Sequence, residues 1–212
     1  MEFEQITIDD ILGSGYECSI CKNVKVYGLE ESIRRAKFPM SVDVNSINTE
    51  LTKGIVSIAQ SNIGSGDDNW LCGVIVQFDL TFSNKAWVEM ERYHFIDIVS
   101  SQSTMHRITK FNLDLAYNEY VDKRIVDIMK DKVYEYNSAV SAGTEDGDTL
   151  KRKYLEILYS NPSGFTLTAG ITTNYRQLKT IYLQRKTHRL PEWRTFCEWV
   201  EKLPCSYLIT GK

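Results

Sequence analysis

The chain has 212 residues, of which 42% are hydrophobic and 25% are charged, so it can bury a sizeable core as one domain spanning 1–212. Its formal net charge of -3 excludes the strongly basic balance typical of nucleic-acid-binding proteins, and no nucleic-acid partner is expected. There is no apolar run of about 18 residues, and the acidic start MEFEQITIDD lacks the features of a signal peptide, so we expect a cytoplasmic protein with no membrane segment.

Five cysteines are scattered along the chain, and this odd number favours a reduced intracellular protein. Cys18 and Cys21 form a C-x-x-C pair. One such pair without a second is a weak indication of zinc, and buried or free thiols are the main alternative. No metal site is therefore predicted.

The first half of the chain contains the clearest predicted strand, CGVIVQFDLTFS at 72–83. Every second residue from Val74 to Phe82 is apolar, which is typical of a strand with one buried face. The segments before it are a shorter predicted strand at 23–28, helices at about 30–37 and 47–60, and a loop rich in Gly, Asp and Asn at 61–69.

The second half is predicted to be mainly helical. Its elements in order are helices at about 84–98 and 113–139, a polar loop at 141–149, a helix at 149–159, a β-rich stretch at 165–173, and helices at 174–187 and 191–202. The helix at 113–139 is long and amphipathic, as expected of one packed on a sheet or on a partner subunit. The mixture predicts an α/β (α+β) fold with a mostly antiparallel twisted sheet flanked by helices.

One predicted helix carries a cation where an apolar residue is expected. Leu178, Ile181 and Tyr182 follow the spacing of a buried helix face, and the next position on that face is Arg185. An unpaired buried charge costs several kcal/mol or more, so this arginine needs a partner. The partner is either a carboxylate in a structural ion pair or an anionic ligand.

A second polar cluster lies in WVEMERYHFIDIVSSQSTMHRI, residues 87–108. Trp87, Met90 and His94 share helical spacing, so His94 is predicted to lie along an apolar seam, either as a core histidine or as a ligand-binding one. The run SSQST follows at residues 100–104, and His106 and Arg107 come shortly after it. These groups suit a phosphate or a nucleobase edge, and a capped helix C-terminus with solvated side chains is the alternative.

Several common catalytic motifs are missing from the sequence. There is no G-x-S-x-G elbow, no Walker loop, no dinucleotide fingerprint and no H-E-x-x-H. The sequence therefore gives no support to a serine hydrolase, a P-loop nucleotide hydrolase or a zinc protease.

The two polar segments, taken in order, resemble a known family. The C-terminal pattern is formed by Thr173, Asn174, Arg176, Leu178 and Arg185, with Pro162 before it and Glu192 and Arg194 after it. The upstream pattern is formed by Arg92, His94, Ser100, Ser101, Gln102, Ser103 and Arg107. Over roughly residues 47–200 the chain resembles the flavin-dependent thymidylate synthases, also called thymidylate-synthase-complementing proteins.

The chain departs from that family's R-H-R-x-x-S signature at several positions. Phe95 stands at the position of the second signature arginine, Arg92 is displaced, and Arg107 comes two residues late. No histidine precedes His94, and Leu158 stands where the family usually has an arginine. Diverged versions of this kind resemble members from bacteriophage genomes, which implies a phage-encoded or bacterial protein.

The resemblance implies an enzyme that transfers a methylene group from methylenetetrahydrofolate to dUMP, or to a related pyrimidine nucleotide, with FAD and NADPH. It also implies a homotetramer with sites at subunit interfaces. The implied FAD-binding residues are His94, Asn174 and Arg176. The implied substrate-binding residues are Gln102, Arg107 and Arg185, and the implied catalytic residues are Ser101 and Ser103.

Two other interpretations stay open. The lost signature arginines are also expected of a catalytically inactive protein that binds a nucleotide or a flavin on the same scaffold. An unrelated structural or interaction protein would instead hold Arg185 in an internal ion pair.

Overall fold

A computed structural model describes residues 14–212. The acidic start MEFEQITIDD, used above to argue against a signal peptide, lies outside the described residues. The strands are β1 (Cys21–Tyr27), β2 (Ile75–Ser83), β3 (Asp97–Ser101) and β4 (Thr166–Asn174). The helices are α1 (Leu29–Ala36), α2 (Lys53–Ala59), α3 (Asn84–Met90), α4 (Thr104–Arg107), α5 (Lys123–Ala142), α6 (Gly147–Ser160), α7 (Tyr175–Arg185), α8 (Pro191–Val200) and α9 (Tyr207–Thr210). Short 3-10 turns occupy Ser14–Tyr16, Phe38–Met40, Val44–Ser46, Asn69–Gly73 and Ile108–Lys110.

The four strands form one sheet in the order β1-β2-β4-β3. Strands β1 and β2 are antiparallel, with Cys21 opposite Leu80 and Tyr27 opposite Ile75. Strands β2 and β4 also run in opposite directions, because the Gln77 side chain bonds that of Thr172 and the Thr81 side chain bonds that of Thr168. The predicted fold class, an α/β fold with an antiparallel sheet flanked by helices, is confirmed.

Strand β2 shows why the sequence pattern predicted it well. Val76, Phe78, Leu80 and Phe82 are buried, whereas the residues between them are partly or fully exposed. This one-sided burial is what a period of two produces on a pleated strand. The predicted strands at 23–28 and 165–173 also appear, as β1 and β4.

The predicted helix at 84–98 is wrong in its second half. Helix α3 ends at Met90, and β3 begins at Asp97. Phe95 adopts a left-handed backbone conformation with φ of 58°, which a helix cannot continue through. The following Ile98 and Val99 are β-branched and favour a strand.

Two further helices are shorter than predicted. The helix predicted at 113–139 begins only at Lys123, where the Asp122 side chain accepts a hydrogen bond from the Arg124 amide and caps the first turn. The helix predicted at 47–60 begins at Lys53, after a similar cap by Thr52. The predicted helices near 30–37, 149–159, 174–187 and 191–202 are confirmed with shifts of at most two residues at their ends.

The chain divides into two compact units. The first comprises the described chain up to Leu80 together with Arg92–Ser100 and Ala169–Lys212, and the second comprises Thr81–Glu91 and Ser101–Thr168. That residues 1–212 form a single domain stays a prediction.

Each unit has its own apolar core. Large aromatic side chains dominate the first, and the rings of Phe78 and Trp199 lie 4.5 Å apart between their centroids. The core of the second is formed by Ile108, Leu113, Ala116, Met129, Val133, Ile157 and Phe165. Within residues 14–212, no helix combines the length and the apolar character needed to cross a membrane.

Candidate functional site

Two residues of the C-terminal pattern, Thr173 and Asn174, fix the start of α7. Asn174 is the N-cap, and its side-chain oxygen accepts a hydrogen bond from the Gln177 amide at 2.9 Å. The preceding Thr173 is buried, and its hydroxyl donates to the Phe95 carbonyl at 2.8 Å. This bond ties the C-terminal pattern to the segment that resembles the family signature, about 80 residues earlier in the sequence.

A buried carboxylate lies under the first turns of α7. The Asp68 side chain is 1% exposed and accepts from Arg176 Nε at 2.9 Å and from Lys179 Nζ at 2.8 Å. Lys179 Nζ also donates to the carbonyls of Ala59 and Ser61 at 2.8 and 2.6 Å. Lys179 is therefore fully occupied, whereas the Arg176 side chain stays 35% exposed.

The charges of this cluster do not cancel. Burial by itself would raise the pKa of Asp68, but the hydrogen bonds and charges of Lys179 and Arg176 outweigh it and hold that pKa below its usual value. The hydrogen bond to Asp68 raises the pKa of Arg176. One ionised carboxylate is thus shared by two cations, and a net positive charge lies beside the N-terminus of an eleven-residue helix. This arrangement suits an anionic group placed at Arg176.

Arg185 lies at the other end of α7, between aromatic rings. Its Nε donates to the Tyr93 hydroxyl at 2.7 Å, and its guanidinium carbon lies 4.7 Å from the centroid of the Trp193 ring and 5.4 Å from that of Tyr93. Tyr93 also donates to the Gln184 side chain at 3.0 Å. Burial raises the pKa of Tyr93, against the opposing effect of Arg185, so the phenol stays protonated near neutral pH.

The predicted apolar face of α7 is confirmed, but its buried cation is a different residue. Leu178, Ile181 and Tyr182 are fully buried, and Arg185 is only half-buried. The buried cation is Lys179. Its spacing from two buried tyrosines, four residues after Tyr175 and three before Tyr182, is the sequence signal that could have found it.

His94 does not lie along an apolar seam, and that prediction is wrong. Because α3 ends at Met90, the helical spacing with Trp87 and Met90 does not apply, and His94 is exposed in the turn before β3. The turn is fixed on both sides, by Tyr93 and by the Phe95 carbonyl. The expected role of His94 at FAD stays a prediction.

The remaining predicted residues lie in the second unit, at and just after the end of a strand and not after a helix. Ser101 is the exposed last residue of β3, and Ser103 is the N-cap residue of α4. Gln102 pairs with Thr168 twice, through its own amide donating to the Thr168 carbonyl and through its side-chain oxygen accepting from the Thr168 amide, both at 2.9 Å. Arg107 is exposed at the end of α4.

The pairing of Gln102 has a chemical consequence. Its side-chain oxygen accepts a hydrogen bond from the backbone of β4, so the NH2 group is the part of the side chain that can act as a donor. A donor in this position can bind a carbonyl oxygen, such as those of a pyrimidine base.

Residues 14–212 contain no group of side chains suited to binding a metal ion. The described chain has no cluster of three or more His, Cys, Asp or Glu side chains that could hold a metal ion. Cys18 and Cys21 alone supply two ligands, and a structural zinc site needs four.

The fold defined by this sheet and its flanking helices is that of the flavin-dependent thymidylate synthases. The flavin-dependent thymidylate synthase ThyX from Helicobacter pylori, solved with FAD and dUMP, superposes with a TM-score of 0.63 at 14% identity, over 90% of this chain and 96% of that one. The UMP/dUMP methylase PolB from Streptomyces cacaoi, bound with 5-Br dUMP, gives a TM-score of 0.57 at 14% identity, over 89% of this chain and 95% of that one. No protein-family profile and no curated protein sequence matches this chain.

Proposed function

We propose that this protein is a flavin-dependent thymidylate synthase-like enzyme, which transfers a one-carbon group reductively from methylenetetrahydrofolate to dUMP or a related pyrimidine nucleotide. The observation that carries the proposal is the junction of the two sequence patterns. The Thr173–Phe95 and Arg185–Tyr93 bonds join the C-terminal pattern to the signature segment, in a fold whose solved examples include one complex with FAD and dUMP. NADPH as reductant and a bacteriophage or bacterial origin are part of the same proposal.

The proposed FAD-binding residues fit an anionic cofactor. Arg176 is held by Asp68 through Nε while part of its side chain stays exposed, so its remaining N–H groups can donate to a phosphate or to a flavin oxygen. Asn174 and His94 are the other proposed contacts. When bound, FAD would supply the redox chemistry, and these side chains would position it.

Arg185 is proposed to bind the phosphate of the nucleotide. Arg176 and Arg185 are nine residues apart on one helix, so their backbones are separated by about 13–14 Å. One phosphate cannot reach both guanidinium groups at that separation without long side-chain excursions, whereas two anionic ligands can each take one. Trp193 and Tyr93 contact the Arg185 side chain at its faces and its Nε, and these contacts fix the orientation of the guanidinium group.

Gln102 and Arg107 are proposed to contact the nucleotide. The Gln102 NH2 group would donate to a carbonyl of the base, and Arg107 would add a positive charge near the nucleotide. Ser101 and Ser103 are proposed as catalytic residues through their hydroxyl groups. We further propose a homotetramer, in which residues of different subunits complete each site.

The alternative is a protein that binds a flavin or a nucleotide without turnover. One observation favours it over an enzyme: Phe95 stands at the position of the second signature arginine, so no guanidinium is supplied there. Both proposals require the anion sites at Arg176 and Arg185.

The test is the visible absorption spectrum of the purified protein, followed by denaturation and identification of any released chromophore. Released FAD, or saturable uptake of added FAD, is expected. Arg176→Ala should weaken FAD uptake, whereas Arg152→Ala, an exposed arginine of α6, serves as the matched control and should not change it. A colourless protein that takes up no added FAD contradicts the flavin assignment.

A further inference from the structure

A pair of thiols lies at the start of β1. Cys21 is the first residue of the strand, fully buried and opposite Leu80, whereas Cys18 is partly exposed. The Cys18 amide donates to the Cys21 carbonyl at 3.0 Å, and the Cys21 amide donates to Cys18 Sγ at 3.3 Å. The chain therefore turns back on itself at the C-x-x-C segment and places the Cys18 sulfur against the next cysteine.

The two sulfurs are within reach of each other. The Cys18 amide nitrogen lies 3.0 Å from the Cys21 carbonyl oxygen, which with standard bond lengths keeps the two Cα atoms within about 7 Å of each other, and disulfides use Cα separations of about 4.4–6.8 Å. The Cys21 amide nitrogen, which touches Cys18 Sγ, is only three bonds from Cys21's own sulfur. Rotation about the Cα–Cβ bond of Cys21 changes the distance between the two sulfurs while the strand backbone stays in place.

The surroundings give the two thiols different reactivities. The hydrogen bond from the Cys21 thiol, helped by backbone amides and by the charge of Lys202, outweighs burial and lowers the pKa of Cys18 to about 6. Burial raises the pKa of Cys21 strongly. Cys18 is therefore the accessible thiolate, and Cys21 is the protected thiol behind it.

We propose that Cys18 and Cys21 form a redox-active dithiol that reacts with small-molecule disulfides. The Cys18 thiolate attacks one sulfur of a disulfide RSSR, the S–S bond breaks, and one thiolate RS⁻ leaves. Cys21 then gives its proton to the RS⁻ released in the first step and attacks Cys18 Sγ, which releases the second RS⁻. The two cysteines are oxidised to a disulfide by two electrons, and RSSR is reduced to two thiols.

Two simpler roles for the pair predict different behaviour. A zinc site would need further ligands, and the described residues hold no group of three. A purely structural turn would use Cys18 Sγ only as a hydrogen-bond acceptor, a task that a serine hydroxyl also performs. Cys18→Ser keeps that acceptor, so it removes the thiol chemistry while preserving the turn.

The experiment treats the full-length protein with oxidised glutathione at neutral pH, quenches with acid, and maps the thiols by mass spectrometry. All samples carry Cys72→Ser, because Cys72 is exposed and would add its own adduct. The otherwise unchanged protein should lose two thiols in one peptide linking positions 18 and 21, retain no glutathione, and regain both thiols with dithiothreitol. Cys21→Ser should accumulate one stable glutathione adduct at Cys18, and Cys18→Ser should keep its thiols.

The same oxidation run in urea tests whether the fold itself brings the two thiols together. The folded protein should close the disulfide several-fold faster than the unfolded chain, because unfolding removes the contact between the thiols. The proposal is overturned by a stable glutathione adduct at Cys18 with Cys21 still reduced, by no reaction at Cys18, or by faster closure in urea.

Discussion

Lys179→Met should destabilise the protein strongly, because Lys179 is the buried cation of α7. Its Nζ donates to Asp68 at 2.8 Å and to the carbonyls of Ala59 and Ser61 at 2.8 and 2.6 Å. Methionine keeps most of the length and volume of the side chain but removes all three hydrogen bonds. The substitution therefore tests the charge and its contacts with little change in packing.

The expected loss of stability follows from the groups that lose Lys179 as their partner. Removing one partner of a buried ion pair costs about 3–5 kcal/mol. Asp68 keeps its bond to Arg176, which reduces the loss, but two carbonyls near the end of α2 lose their donor, at about 1–3 kcal/mol for an unsatisfied group. We expect the free energy of unfolding to fall by about 3–5 kcal/mol, and the melting temperature by about 6–20 °C for a chain of this size.

Urea and thermal unfolding followed by circular dichroism measure this change. Lys151→Met, which replaces an exposed lysine of α6, is the control and should stay within about 0.5 kcal/mol of the unsubstituted protein. A Lys179→Met protein within about 1 kcal/mol of the unsubstituted one would refute the view that this cluster stabilises the fold.

The pH dependence of the same difference gives a second check. The pKa of Asp68 is lowered in the folded state, so its contribution is present above the unfolded value, about 3.9, and is lost as pH falls through the folded value. The stability gap between the two proteins should therefore narrow on acidification. A gap that is constant down to the acid transition would contradict an ionised Asp68 in the pair.

Three further predictions concern the ligand sites and the dithiol. Arg185→Ala should lose about 1–3 kcal/mol of stability with its ring and hydroxyl contacts, and it should largely abolish the rise in melting temperature that dUMP produces; an unchanged rise sinks the phosphate assignment. Tyr93→Phe removes the acceptor of Arg185 Nε and should weaken dUMP binding less than Arg185→Ala does, as measured by the same melts; an equal or larger loss would mean that Tyr93 contacts the nucleotide itself. The rate at which iodoacetamide alkylates Cys18 should level off above about pH 7, since its pKa is about 6, whereas the rate for free glutathione keeps rising towards the pKa of an ordinary thiol, about 8.5; parallel profiles would contradict a lowered pKa.

The sequence was sufficient to predict a helix or strand where one face of the element is buried and the other is exposed. Strand β2 alternates from Ile75 to Phe82, and α7 places Leu178, Ile181 and Tyr182 on one face, so both were predicted close to their observed bounds. The same rule misled at 84–98. Apolar residues there match helical spacing by chance across a turn at Phe95, whose left-handed backbone no periodicity reveals.

The candidate site was predicted in part, because its partners are distant in sequence. The patterns at 92–107 and 173–185 drew attention to residues that the structure joins through Tyr93 and Thr173. Asp68 was missed, since a carboxylate in a loop rich in Gly, Asp and Asn gives no sign that it is buried beneath a helix more than 100 residues later. Long-range ion pairs of this kind depend on the tertiary fold and leave no local signal.

Turnover of dUMP is the measurement that tests the proposed function most directly. The protein is incubated with dUMP, methylenetetrahydrofolate, NADPH and FAD, and nucleotide products are identified by mass spectrometry, with each component omitted in turn. The account predicts sustained formation of a one-carbon-modified pyrimidine nucleotide that requires the folate and FAD. Binding of FAD and dUMP without any modified nucleotide would contradict the enzymatic proposal and leave a ligand-binding protein on the same fold.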